Sequence, residues 1–453
     1  MNKQLFIVLF LILFVPCLIF GDSHDDYVIY DGSTVSYNNK IAYVYLDDDV
    51  SLSSSLTIKS GYTLYLCLHG HSLSIDSNDA VITINNNGTL VLSDCLNSGS
   101  ITSKKGYGIN NNGTFNFYGG KISGNGNSGV YNSSIFNMYG GTISNNCASL
   151  GGGVYNNKTF NMYAGTIENN AASSRGGGVY NNGSNAVFSM YSDSLVSNNL
   201  ASGNGGGVYN NGSTFTMLDS SSISNNVTGS ISGGGLYAYS SMATIRDNAS
   251  IVNNKSNVNG GDVYFHSGTF YINDNITIDD IYLPSNKVVT VLDKLGELAS
   301  VGLCAQYPYK LPILVTNCDN CDVFNYNDTN YILEVVDNTI KLKKATLFPS
   351  YTIDIPSSIS LNEDLEVSAS IDSGSSLIVK VASENDFSLI NEDGVSLTYL
   401  IKQDEKTLNN NDTILELNGG STSVFLRFEL SDTIKYSGTY TGTAMFTVYI
   451  DDK

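Results

Sequence analysis

The chain has 453 residues, with 44 Gly against 6 Pro, 30 Tyr, no Trp and a formal net charge of −20. That acidity excludes nucleic acid as a partner, because phosphate binding needs clustered Lys and Arg. The length admits two or three domains, and a vocabulary rich in Gly, Asn, Ser, Thr and Tyr is that of strands and turns.

The N-terminus carries Lys3 and then an unbroken apolar run from Leu5 to Phe20. This is the pattern of a secretory signal peptide over residues 1–21, with cleavage expected near Gly21–Asp22. No second hydrophobic span follows. The mature chain is therefore expected to lack a membrane span and to be secreted, extracellular or held at a cell surface. Six cysteines remain, Cys67, Cys95, Cys147, Cys304, Cys318 and Cys321, and outside the cell disulfides are the default. Cys67 and Cys95 lie about one repeat apart and could join neighbouring coils, while Cys318 and Cys321 could close a tight loop or pair with Cys304. Spacing leaves the connectivity open. A zinc site at Cys318 and Cys321 would need two more ligands, and only Cys304 and no His lie near them. No metal and no cofactor are expected.

Residues 22–60 read as an N-terminal cap. Across residues 61–283 one phrase then recurs, clearest in GGGVYNNKTFNMYAGTIENN from Gly151. Its aliphatic position falls at Ile84, Ile109, Val130, Val154, Val179, Val208, Leu236 and Val263, in steps of 21 to 29 residues. A period that long marks a solenoid. Apolar and polar residues alternate within each unit, as in Phe160-Asn161-Met162, so the units stack as strands. The position of Phe160 recurs at Leu64, Leu90, Phe115, Phe136, Phe188, Phe215, Ala243 and Phe270, which predicts about nine coils and, at the usual strand separation, a rod of about 40 Å.

Gly151-Gly152-Gly153 and its counterparts supply the positive φ and close backbone approach that a corner needs. The pairs Asn145-Asn146, Asn169-Asn170, Asn198-Asn199, Asn225-Asn226 and Asn253-Asn254 recur at one turn, where Asn tolerates the left-handed region and can bond its stacked neighbour. Residues 284–345 read as the C-terminal cap. From residue 346 the repeat is gone, and eight short alternating runs between Tyr351 and Ile450 predict an antiparallel, Ig-like β-sandwich over residues 346–453.

Acids are sparse between Ile109 and Thr277: Glu168, Asp193, Asp219, Asp247, Asp262 and Asp274. Asp219 and Asp247 align one coil apart beside Arg246, the nearest approach to a carboxylate pair or a shallow calcium site. His266 stands alone. The sharper candidate is a column of tyrosines, Tyr131, Tyr155, Tyr180, Tyr209, Tyr237 and Tyr264, each following an inward aliphatic residue and so turned outward on one face. Such a stripe suits a sugar or a partner protein, and it equally suits shielding of the strand backbone.

The opening DDDVSLSSSLTIKSGYTLYLCLHGHSLSI from Asp47, the repeats of the form GGGVYN…TFNMYGGTISNN, and GGDVYFHSGTFYINDNITIDDIYLPSNKVVTV from Gly260 resemble secreted right-handed parallel β-helix proteins with the pectin-lyase-like fold. The tail closing in KYSGTYTGTAMFTVYI resembles the β-sandwich of Gram-positive surface proteins. The resemblance implies an all-β chain, a right-handed parallel β-helix followed by an antiparallel β-sandwich. It further implies an adhesin-like or structural, non-catalytic role toward glycans or host and cell-surface proteins, with His71 structural. The alternative it leaves is a polysaccharide-degrading lyase or hydrolase on the same scaffold.

Overall fold

The computed structural model describes residues 24, 26–229, 232–284, 287–305, 313–318, 320–326, 328, 330–344, 351–371, 375–383, 386–435 and 438–452. The signal-peptide segment, residues 1–21, lies outside them. Strands make up 56% of the chain, and it divides into two compact units, Met1–Ala345 and Thr346–Lys453.

The first unit is a parallel β-solenoid of about ten turns. One coil shows how the sequence builds it, through strands Val154–Asn156, Thr159–Met162, Thr166–Glu168 and Ala171–Arg175, before the chain enters the next coil at Gly176. In Thr159–Met162 the side chains of Phe160 and Met162 are buried, while Thr159 and Asn161 face outward. Each strand pairs in parallel and in register with its counterparts one coil away. Val154 lies opposite Val130 and Val179, and Phe160 opposite Phe136 and Phe188. Like therefore stacks on like, with ring centroids of Phe136, Phe160 and Phe188 separated by 4.5 and 4.6 Å and ring planes nearly parallel. A single coil cannot bury these rings, so its core exists only through its neighbours.

All nine positions expected to share the Phe160 column do share it, and the parallel register runs on to Ala42 at one end and to Val289 and Val315 at the other. The described residues within 22–60 and 284–345 thus supply coils as well. Strand Ile41–Tyr45 alternates exposed and buried residues just as the repeats do, although it lacks their Gly and Asn phrase. One assignment in the aliphatic column shifts: Ile82 lies opposite Ile109, and Ile84 lies opposite Asn111. Both isoleucines are buried. Apolar alternation alone was therefore satisfied by either choice.

Parallel stacking ends where strand Thr339–Lys344 pairs antiparallel with Ile313–Thr316 and folds back on Tyr331–Val336. This hairpin covers the last parallel strand of that sheet, which would otherwise offer open hydrogen-bonding groups to another chain. At the corners Gly151 has φ +59°, and a Cβ on Gly177 would sit 2.4 Å from the Gly206 carbonyl oxygen. Neither position admits a side chain without moving the backbone. Four middle coils carry an extra short ladder, Cys147–Leu150, Ala171–Arg175, Leu200–Ala201 and Val227–Thr228.

The second unit is antiparallel. One sheet is built around Asp364–Ile371, Gly420–Leu430 and Ser396–Gln403, and a three-stranded sheet holds Asp412–Leu417, Ser375–Ala382 and Met445–Asp452. Each of the eight expected runs coincides with a strand. Val367, Val379, Val381, Ile401 and Leu426 fill the core between the two sheets.

Candidate binding faces

The six predicted tyrosines do form one column, lengthened by Tyr107 and Tyr282, with neighbouring ring centroids 5.0 to 5.4 Å apart. They point away from the solenoid core, yet Tyr180, Tyr209 and Tyr237 are only 5%, 3% and 7% exposed. The extra ladder of the middle coils accounts for this. Leu150 packs against the rings, and the Arg175 guanidinium lies 5.2 Å over the Tyr209 ring. The hydroxyls of Tyr131, Tyr155 and Tyr180 accept hydrogen bonds from Asn157, Asn182 and Asn211, each at 3.2 Å. Burial holds the phenol pKa values of Tyr155, Tyr209 and Tyr237 above their ordinary range. The centre of this column is a secondary core, with Tyr131, Tyr155 and Tyr264 half-buried at its sides.

A second column is half-exposed along its length, and the sequence carried its signal. In FNFY, FNMY, FNMY and FSMY the last residue follows an inward Phe or Met, so Tyr118, Tyr139, Tyr163 and Tyr191 face outward. Their rings stack at 4.7, 5.0 and 5.0 Å with interplanar angles of 14°, 8° and 19°. Beside them runs an amide ladder in which Asn161 donates to Asn137 and Asn137 to Asn116, both at 3.0 Å. Because each ring face is covered by its neighbour, the column presents edges and hydroxyls, one per coil, along a flat sheet. Such a face can meet a regularly repeating partner through periodic hydrogen bonds and apolar ring edges.

Other amide ladders are internal. Asn125, Asn146, Asn170, Asn199, Asn226 and Asn254 bond one another in sequence at 2.7 to 3.0 Å. Each residue preceding the last five, such as Asn169 at φ 54°, adopts the left-handed conformation. The Asn pairs therefore work as anticipated, one member turning the chain and the other bonding the stack.

The acids follow the same logic. An Asp219 carboxylate oxygen accepts from the Ser192 N–H at 3.0 Å, one of Asp247 from the Asp219 N–H at 3.1 Å, and one of Asp274 from the Asp247 N–H at 3.2 Å. Each acid thus caps a left-handed turn one coil earlier. Asp193 accepts from Ser220 Oγ at 2.7 Å, Arg246 lies 3.8 Å from Asp247, and Glu168 sits half-buried on an outward position. His266 stacks obliquely on Tyr239 at 4.8 Å and contacts Ser267 Oγ at 3.0 Å. Asp262 differs from the rest, being 2% exposed with its pKa pushed up to about 7 by burial and by the neighbouring Asp280 charge.

Among the cysteines, Cys318 and Cys321 form the tight-loop disulfide, with Cα atoms 5.6 Å apart. Cys304 and Cys147 carry free thiols. Cys67 and Cys95 stand on adjacent coils with sulfurs 3.5 Å apart, close but unbonded. His71 contacts Asp49 at 3.7 Å. Among the described residues no helix is long and apolar enough to cross a membrane. In comparisons with known proteins the chain matches no family model, no curated protein and no solved structure.

Proposed function

We propose that this is a secreted or cell-surface, adhesin-like or structural protein whose β-solenoid presents an extended, non-catalytic face to glycans or proteins. The observation that carries the reading is the half-exposed, outward-facing column Tyr118, Tyr139, Tyr163 and Tyr191 beside the Asn116, Asn137 and Asn161 ladder. A rigid scaffold holds these groups one per coil, so a partner meets a preorganised row without ordering any loop. The alignment of Asp219 with Asp247 does not favour hydrolysis, since both carboxylates accept from backbone N–H groups of the scaffold. A net charge of −20 favours neutral or basic partners over polyanions.

The test is a glycan array and a panel of cell-surface and matrix proteins, probed with the full chain and with a Tyr139→Ser/Tyr163→Ser variant. Binding by the parent and its loss in the folded variant supports the reading. Absence of binding to every probe, or turnover of uronic-acid polymers by the parent, overturns it.

A further inference from the structure

Three of the four histidines in this chain, His24, His69 and His71, gather with two cysteines at the N-terminal end of the solenoid. The ligand atoms of His24, His69 and Cys95 all lie within 4.8 Å of one another. Cys95 Sγ is 4.0 Å from His24 Nε2 and 3.5 Å from Cys67 Sγ. We propose that His24, His69 and Cys95 form a zinc-binding site, with Cys67 as the fourth ligand.

The chemistry of the set is specific. Two imidazole nitrogens and two thiolates are the donors of a closed tetrahedral Zn²⁺ site, with metal–ligand bonds of about 2.0–2.3 Å. Two sulfurs on one such ion stand about 3.8 Å apart by that geometry, close to the observed 3.5 Å. Carboxylate-loving Ca²⁺ and Mg²⁺ find no oxygen cage in these four groups. On binding, each S–H bond is replaced by an S–Zn bond and its proton passes to water.

The surroundings hold the ligands in place before any ion arrives. Asp94, buried and adjacent to Cys95, accepts from the Gly70 N–H at 2.7 Å and from the Gly99 N–H at 2.6 Å. One carboxylate therefore ties the turn bearing His69 to the turn bearing Cys95. His69 itself sits at φ 47°, an unusual conformation for a side-chain-bearing residue. Its Nδ1 is buried without a hydrogen-bond partner, a polar atom that coordination through Nδ1 itself would satisfy. His24 stacks on Tyr45 with centroids 4.5 Å apart and meets Tyr27 edge-on at 5.3 Å.

The experiment uses the full chain, purified with reductant and stripped of metal, and two probes, Zn²⁺ by competition with a chromophoric chelator and Co²⁺ by absorption. Expected are one zinc per chain and a thiolate-to-cobalt charge-transfer band. Cys95→Ser should roughly halve the band and Cys67→Ser with Cys95→Ser should remove it, and His69→Gln should weaken zinc at least tenfold, while His71→Gln leaves both unchanged. Circular dichroism identifies any variant that fails to fold, and the cobalt spectrum of the parent stands independently of the variants. Zinc binding below one per chain, a cobalt spectrum without thiolate character, or affinity unchanged in Cys95→Ser and His69→Gln overturns the proposal. So does peptide mapping of protein isolated without reductant that finds Cys67 bonded to Cys95 and no zinc.

Discussion

Asn254 donates its side-chain amide to Asp262 Oδ1 at 2.8 Å, and at this bond the neutral amide ladder that begins at Asn125 ends on a carboxylate. Asp262 and Asp280 then bond each other's backbone, with the Asp262 N–H on Asp280 Oδ1 at 2.6 Å and the Asp280 N–H on Asp262 Oδ2 at 3.2 Å. Burial raises the pKa of both acids.

A pH dependence follows. The folded Asp262 titrates at about 7 against an ordinary 3.8, so between these values the folded chain holds a proton that the unfolded chain has released. The contribution is complete below pH 3.8 and is lost as pH rises toward 7. Urea midpoints of the solenoid should therefore fall across this window and level off above it. Asp262→Asn should remove that part of the slope. A slope identical in parent and variant would place the titration elsewhere.

Asn170 is a test of the internal ladder. Its Oδ1 accepts from the Asn146 N–H and side-chain amide, and its Nδ2 donates to Asn199 Oδ1 and to the Ile143 carbonyl. Asn170→Ala takes the side-chain partner from the Asn146 N–H and the Ile143 carbonyl on the preceding coil and leaves Asn199 Oδ1 only the Asn170 N–H, at about 1–3 kcal/mol for each group left unpaired. Equilibrium unfolding should show a loss of at least about 2 kcal/mol by the same reckoning. A loss below about 0.5 kcal/mol would mean that water replaces the amide without cost.

The two tyrosine columns should separate in a stability measurement. Tyr180→Ser/Tyr209→Ser removes rings that are 5% and 3% exposed, so it should cost several kcal/mol, on the order of other large-to-small core changes. Tyr139→Ser/Tyr163→Ser strips half-exposed rings and should cost less than half as much. Thermal melts of the two variants side by side decide the matter, and equal losses would mean that both columns are core.

Gly177→Ala should be among the most damaging single changes at a corner. The new methyl group would stand 2.4 Å from the Gly206 oxygen and 2.5 Å from the Leu200 oxygen, both backbone atoms. Gly183→Ala, at a turn with open space around it, is its control, although φ +94° adds some strain there. Soluble yield and melting temperature should drop further for Gly177→Ala than for Gly183→Ala.

Strand identity was legible because each face of the solenoid repeats one residue type per coil, so Phe160 and its partners announce their own register. Ile82 was not, since Ile82 and Ile84 are both inward and apolar and only the pairing with Ile109 distinguishes them. The central tyrosines were placed on the correct side of their strands, but the cover over them comes from Leu150 and Arg175 in a ladder without repeat motif. His24 and Cys95 lie 71 residues apart in sequence. No local spacing signals their meeting, which arises from the stacking of the first coils.

The equivalence of successive coils has a further consequence, for length. Asn132 donates to Asn156 at 2.7 Å and Asn156 to Asn181 at 2.7 Å, so the residues that meet across any one interface are nearly the same as those that meet across the next. Excising the segment from Gly151 to Arg175 would bring Asn132 to Asn181 and Phe136 to Phe188, partners of the kind each already has. The middle of this protein is therefore free to grow or shrink by whole units through duplication or loss within its gene, while its two differently built ends stay as they are. Reach becomes a heritable quantity that can change without refashioning the fold.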